Sequence, residues 1–123
     1  MGPVRLLLVD DDETVLAGLS LILEANEFEV TTAGNVVEAL RLIAAERFDV
    51  LLTDLHMPEV SGYDLCASVR RNPRLAHLPI IIMSALDGAE YRESIQPFNV
   101  ARYLTKPLAM DEVFAAIAAA LAS

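Results

Sequence analysis

Five short, mostly aliphatic runs separated by helix-length amphipathic segments recur from one end of this chain to the other, and that alternation restricts its fold more than any other feature. The runs are Arg5 to Val9, Glu29 to Thr32, Val50 to Thr53, Pro79 to Met83 and Arg102 to Thr105. Between the first two, Val15, Leu16, Leu19, Ile22 and Leu23 form one helical stripe; between the next two, Val36, Leu40 and Ile43 form another. Strands alternating with helices in this way predict an α/β fold with a parallel sheet, five strands and five helices.

Local signals place several boundaries. Asn35 with Glu38 three residues later reads as a capping box, and Asn26 stands where a left-handed residue could end the first helix. Pro97 falls within the expected fourth helix and Gly88 near its start, so that element should be short or irregular. At 123 residues, 54% of them apolar and only 6% aromatic, the chain suits one aliphatic sheet under helices. With no repeat, linker or composition break, residues 1–123 are expected to form a single domain.

Charge narrows the partners. Nine Lys and Arg face eighteen Asp and Glu, a net charge of −9, so the surface should repel nucleic acid and anionic lipid. Cys66 is the only cysteine, which excludes an internal disulfide, fits a reducing cytoplasm and points to core packing. No apolar stretch approaches the roughly 18 residues needed to span a bilayer, and Asp10, Asp11 and Asp12 come too early for a secretory signal. A cytoplasmic protein is expected.

In a doubly wound sheet, ligands bind beyond the C-terminal strand ends, where the winding reverses. The first strand here runs into Asp10, Asp11 and Asp12, the third into Asp54, the fourth into Ser84 and the fifth into Lys106. A flavodoxin-like order 2-1-3-4-5 would make these groups converge. Carboxylates so close would repel one another unless a proton or a hard divalent cation is held among them, and Mg²⁺ is the natural candidate. Lys106 would add a fixed positive charge for a phosphoryl group, and the Ser84 hydroxyl could donate to one of its oxygens. Asp12 alone could equally be the N-cap of the first helix.

Across essentially its whole length the sequence resembles the receiver domains of two-component response regulators. Leu6-Leu7-Leu8-Val9-Asp10-Asp11 resembles the family's first strand and acidic pair, and Thr53-Asp54-Leu55-His56-Met57-Pro58, closed by Gly62, resembles its phosphoacceptor loop. Ser84-Ala85 is similar to the switch hydroxyl and its small neighbour, and Tyr103-Leu104-Thr105-Lys106-Pro107 to the fifth strand with its switch aromatic and lysine. The resemblance implies a phosphoacceptor signalling domain that catalyses only its own phosphorylation and dephosphorylation. Asp54 would take a phosphoryl group from a histidine kinase or phosphotransfer protein. Asp11, Asp54 and the His56 backbone carbonyl would bind Mg²⁺ directly and Asp10 through water. Lys106 and Ser84 would engage the phosphoryl oxygens, and Tyr103 would turn inward. The face of the fourth helix, fifth strand and fifth helix would then pass the change to an output domain or effector. His56 and Leu86 are placed to tune hydrolysis of the phosphoaspartate.

Some features depart from that pattern. Phe98-Asn99-Val100-Ala101-Arg102 replaces the usual Ala-Gly-Ala with its following acids, although Asn99 tolerates positive φ. The acidic pair through which winged-helix regulators dimerise is missing. The last helix, with Val113, Phe114, Ile117 and Leu121, is unusually Ala-rich. Asp10 to Thr14 also resembles the D-x-D-x-T loop of haloacid dehalogenase-type phosphatases, with Asp10 as nucleophile and Asp12 as general acid and base. That reading leaves Asp54 unexplained and finds no acidic pair after Lys106. A receiver used only as an unphosphorylated interaction module is a third reading, against which the full acid, hydroxyl and lysine set argues.

Overall fold

The computed structural model describes residues 2–57, 60–86 and 88–122; Pro58, the end of the loop motif singled out above, lies outside them. The elements are β1 (Arg5–Val9), α1 (Glu13–Ala25), β2 (Glu29–Ala33), α2 (Val36–Ala45), β3 (Val50–Asp54), α3 (Gly62–Arg71), β4 (Ile80–Ser84), α4 (Ala89–Ser94), a 3₁₀ turn (Gln96–Phe98), β5 (Arg102–Thr105) and α5 (Met110–Ala122). All strand pairs are parallel and the order is β2-β1-β3-β4-β5, as the alternation predicts.

The two-residue period of each strand divides the core. Leu7, Val9, Leu51 and Ile82 face α2 and α3, packing on Val36, Ile43, Leu65 and Val69. Leu6, Leu8, Leu52 and Met83 face α1 and α5, packing on Leu16, Leu19, Val113 and Ile117. Residues 50–55 and 80–84 are buried throughout, as central strands covered on both faces require. Each such leucine or isoleucine contributes about 1.5–3 kcal/mol by leaving water. Cys66 is one of these packing residues, and burial pushes its thiol up to about 12.

Caps account for the helix starts. Asp12 caps α1, its Oδ1 accepting the Thr14 and Val15 N–H groups at 2.9 and 3.4 Å. Asn35 Oδ1 accepts from Glu38 N–H at 2.8 Å, so the Asn35 half of the expected box forms. A reciprocal carboxylate contact occurs instead at α3, where Asp64 Oδ2 accepts from Ser61 N–H at 3.2 Å. At the end of α1 the left-handed residue is Glu27 (φ 71°), not Asn26 (φ −103°). Asn26 instead uses its side-chain amide to donate to the Ile22 carbonyl at 2.8 Å, which holds it on the right-handed side and moves the reversal one residue on. Asn99 does adopt φ 51°. The fourth helix is cut short as expected: Gly88 (φ 140°) precedes it and Pro97 sits in the 3₁₀ turn that follows. Arg70 ties this region to α3, donating to the carbonyls of Phe98 at 2.6 Å, Leu78 at 2.7 Å and Ala76 at 3.1 Å. Among the described residues, no helix is long and apolar enough to cross a membrane.

Candidate functional site

Strand register builds the site. Val9 lies level with Thr53, Asp54 with Met83, and Ser84 with Thr105, so the residues that end these neighbouring strands emerge along one edge of the sheet. Carboxylate oxygens of Asp10, Asp11 and Asp54 all lie within 4.8 Å of one another. Asp10 is fully buried, Asp54 is 7% exposed and Asp11 is exposed.

Lys106 reaches into the cluster from the end of β5. Its Nζ stands 2.6 Å from Asp10 Oδ2 and 3.2 Å from Asp54 Oδ2. Burial works against the Lys106 charge, but the Asp10 hydrogen bond and the two carboxylates outweigh it and hold its pKa above the ordinary lysine value. The other oxygens of these two acids are also engaged. Asp10 Oδ1 accepts the Asp12 N–H at 3.0 Å, and Asp54 Oδ1 accepts the His56 N–H at 3.1 Å. Asp11 has no hydrogen-bond partner among the described residues.

Gly62 lets the β3–α3 loop close over this edge. Its N–H donates to the Leu55 carbonyl at 2.9 Å, and a Cβ there would collide with the Asp54 carbonyl oxygen and stand 2.8 Å from Leu55 Cα. The glycine is required by this close approach of two backbones.

Ser84 and Tyr103 stand in a second, adjoining network. The buried Ser84 Oγ accepts the Leu86 N–H at 3.1 Å, while the Tyr103 hydroxyl donates to the Leu86 carbonyl at 2.6 Å. The Leu86 residue thus joins the two side chains through its backbone. A Lys106 N–H to Ser84 carbonyl bond of 2.7 Å connects this network to the acidic one. The Arg92 guanidinium lies over the Tyr103 ring at 4.7 Å.

Of the residues singled out from sequence, Asp10, Asp11, Asp54 and Lys106 therefore come together, with Ser84 and Tyr103 beside them. Asp12 is a helix cap, the plainer of its two readings. The His56 ring is exposed and lies edge-on between Tyr63 and Tyr91, at centroid distances of 5.9 and 5.8 Å. Tyr63 also shares a 3.0 Å hydrogen bond with Ser94 of α4. Sequence reasoning missed Tyr63 and Tyr91. The available signal was scarcity, because the chain has only three tyrosines and all of them surround this edge.

Comparison with known proteins agrees with this geometry. Residues 6–118 match the family described as response regulator receiver domain. The response regulator MprA of Mycobacterium sp. (strain KMS) is 37% identical over 119 residues, covering 97% of this chain and 51% of its own. The chain thus spans about half the length of the curated relatives it matches. Chemotaxis protein CheY4 of Vibrio cholerae superposes with a TM-score of 0.90 at 25% identity, over 95% of this chain and 98% of that one. Response regulator TrrA of Thermotoga maritima, solved in complex with Mg²⁺-BeF, gives 0.85 at 26% identity, over 96% and 99%. With five parallel strands in the same 2-1-3-4-5 winding and a family match across most of its length, the chain belongs to the response regulator receiver domain family.

Proposed function

We propose that residues 1–123 act as one phosphoacceptor unit in which Asp54 takes a phosphoryl group from the phosphohistidine of a histidine kinase or phosphotransfer protein, in a Mg²⁺-dependent reaction. The observation that carries this reading is the three-carboxylate cluster within 4.8 Å, answered by only one lysine. An all-oxygen donor set with excess negative charge suits a hard divalent cation. Asp11, exposed and without a hydrogen-bond partner, would bind it directly together with Asp54 and the His56 carbonyl. Asp10, whose side chain is fully buried and closer to Lys106 than that of Asp54, would act through water. Bound Mg²⁺ would neutralise charge on the incoming phosphoryl group.

The protein's own part is positioning. The His56 N–H and Lys106 orient the Asp54 carboxylate. One of its oxygens attacks phosphorus in line as the P–N bond breaks and its electrons return to the imidazole, leaving an aspartyl phosphate. Lys106 then pairs with a phosphoryl oxygen. Ser84 would exchange its contact with the Leu86 N–H for donation to another phosphoryl oxygen. Because Leu86 also accepts from Tyr103, that exchange would loosen Tyr103 and let it turn inward. About −1.5 to −2 of new charge at the pocket would thereby bias the face of α4, β5 and α5 towards an effector or output domain. The domain would work in the cytoplasm and turn over no substrate besides its own phosphoryl group. The His56 and Leu86 side chains would tune hydrolysis, and an unchanged phosphoaspartate lifetime on replacing both would remove them from that role.

Intact mass after incubation with acetyl phosphate and Mg²⁺, under rapid quench, tests the proposal. One added phosphoryl group is expected in the parent and none in Asp54→Asn or with chelator present. An adduct persisting in Asp54→Asn would overturn it and make Asp10 the first suspect.

A further inference from the structure

The end of the sheet opposite the acids has a different electrostatic character. A cleft of about 450 Å³ opens at the N-terminal ends of β3 and β4, between the α2–β3 loop and the α3–β4 loop. It shares Arg47 and Asp49 with a neighbouring concavity of about 390 Å³ and His77 and Pro79 with another of about 230 Å³, so the three form one groove along this edge. Four of the chain's nine basic residues, Arg5, Arg47, Arg70 and Arg74, line it against two carboxylates, Glu46 and Asp49.

Glu46 is ion-paired and Asp49 is turned towards the backbone. Glu46 Oε1 is 2.7 Å from Arg5 Nη2, and Asp49 Oδ2 accepts the Arg5 N–H at 2.8 Å. Arg70 spends its donors on backbone carbonyls. Arg47 and Arg74 are both exposed, and neither has a carboxylate partner among the described residues. Among the described residues, the only guanidinium hydrogen bond of Arg74 runs 3.3 Å to the Ile43 carbonyl. Between these two free cations the floor is apolar, formed by Phe48, Leu75, Leu78 and Pro79. In a chain of net charge −9 this is a local reversal of sign.

We propose that this groove docks an extended acidic segment of a partner polypeptide, its carboxylates meeting Arg47 and Arg74 and an apolar side chain seated on the floor. Two exposed guanidiniums flanking an apolar floor fit carboxylates flanking an apolar side chain. Duplex nucleic acid or an anionic membrane fits worse, because either would also lie against the acidic remainder of the surface. Ordinary salt screens charges more than about 8 Å apart, so a short segment inside the groove would feel chiefly the nearby arginines. The groove lies at the opposite end of β3 from Asp54.

The test uses the isotope-labelled full chain and a short acetylated peptide alternating glutamate with leucine, alongside its glutamine–leucine counterpart. The acidic peptide should shift amide resonances of residues 46–49 and 74–78 saturably, and raised salt should weaken binding. Arg47→Glu with Arg74→Glu should weaken it about tenfold or more, and Arg41→Glu on exposed α2 should not. Arg47→Glu alone, at an exposed side chain with no hydrogen bond or ion pair among the described residues, keeps the test valid if the double variant folds poorly. Equal binding of the glutamine peptide, shifts confined to other residues, or no saturable binding would overturn the proposal. So would arginine-dependent binding of duplex DNA or phosphatidylglycerol vesicles without the peptide, or salt-sensitive self-association through the same residues.

Discussion

Replacing Lys106 with methionine keeps most of the side chain's apolar volume and removes the only cation, among the described residues, within ion-pair reach of Asp10 and Asp54. Breaking a buried ion pair by deleting one partner costs about 3–5 kcal/mol. Neutralising an ordinary aspartate by proton uptake at pH 7 costs about 4 kcal/mol, which sets a ceiling. Lys106 is 18% exposed and the Asp54 side chain 10%, so water relieves part of the penalty and the lower end applies. The expected loss is about 3 kcal/mol, or roughly 10–15 °C in Tm for a chain of this size. Urea unfolding at pH 7 without divalent cations, with equal m-values in parent and variant, measures it. Lys106→Met with Asp10→Asn should recover part of the loss, because one uncompensated charge is gone. A loss below about 1 kcal/mol would refute the reasoning, as would a double variant no better than the single one. The pH dependence has a definite sign. The folded-state pKa of Lys106 lies above its unfolded value, so its contribution is complete below about pH 10.4 and fades as pH rises through the folded pKa. On the alkaline side, parent and variant stabilities should converge only in that range; convergence near pH 8 would contradict the assigned ion pairs.

Other substitutions test separate parts of the structure. Gly62→Ala forces two backbones apart beneath Asp54 and should cost about 2 kcal/mol or more; a thermal scan showing no change would remove the close-approach argument. Asp12→Ala should cost about 1 kcal/mol through the lost cap of α1 while leaving phosphorylation by acetyl phosphate intact; abolished phosphorylation would place Asp12 in the chemistry. The buried Cys66 thiol, pushed up to about 12, should resist iodoacetamide at pH 8 in the native protein and react once urea unfolds it, and rapid native labelling would contradict its burial.

Much of this architecture is legible before any coordinates. Leu6 to Val9 and Ile80 to Met83 read as buried strands because a sheet covered on both faces needs continuous apolar residues. Gly88 and Pro97 foretell a short fourth helix, because one takes a left-handed backbone and the other cannot continue a helical ladder. The end of α1 was less legible. Asn26 and Glu27 both lie near the turn, and the Asn26 side chain found a helical carbonyl that held it on the right-handed side. Asp12 was ambiguous for a related reason: an acid after a strand can serve the helix or the pocket, and only the direction of its side chain decides.

The sequence by itself determined which residues end each strand, and hence that Asp10, Asp11, Asp54, Ser84 and Lys106 would stand at one edge, because strand and helix periods are short-range properties of the chain. Tertiary structure decided how those groups are wired. Lys106 meets Asp10 across 96 residues, Leu86 joins Ser84 to Tyr103, and the arginine-lined groove draws on loops far apart in the chain. Such contacts depend on strand register and loop closure, which no local pattern encodes, so they exist only once the sheet has formed.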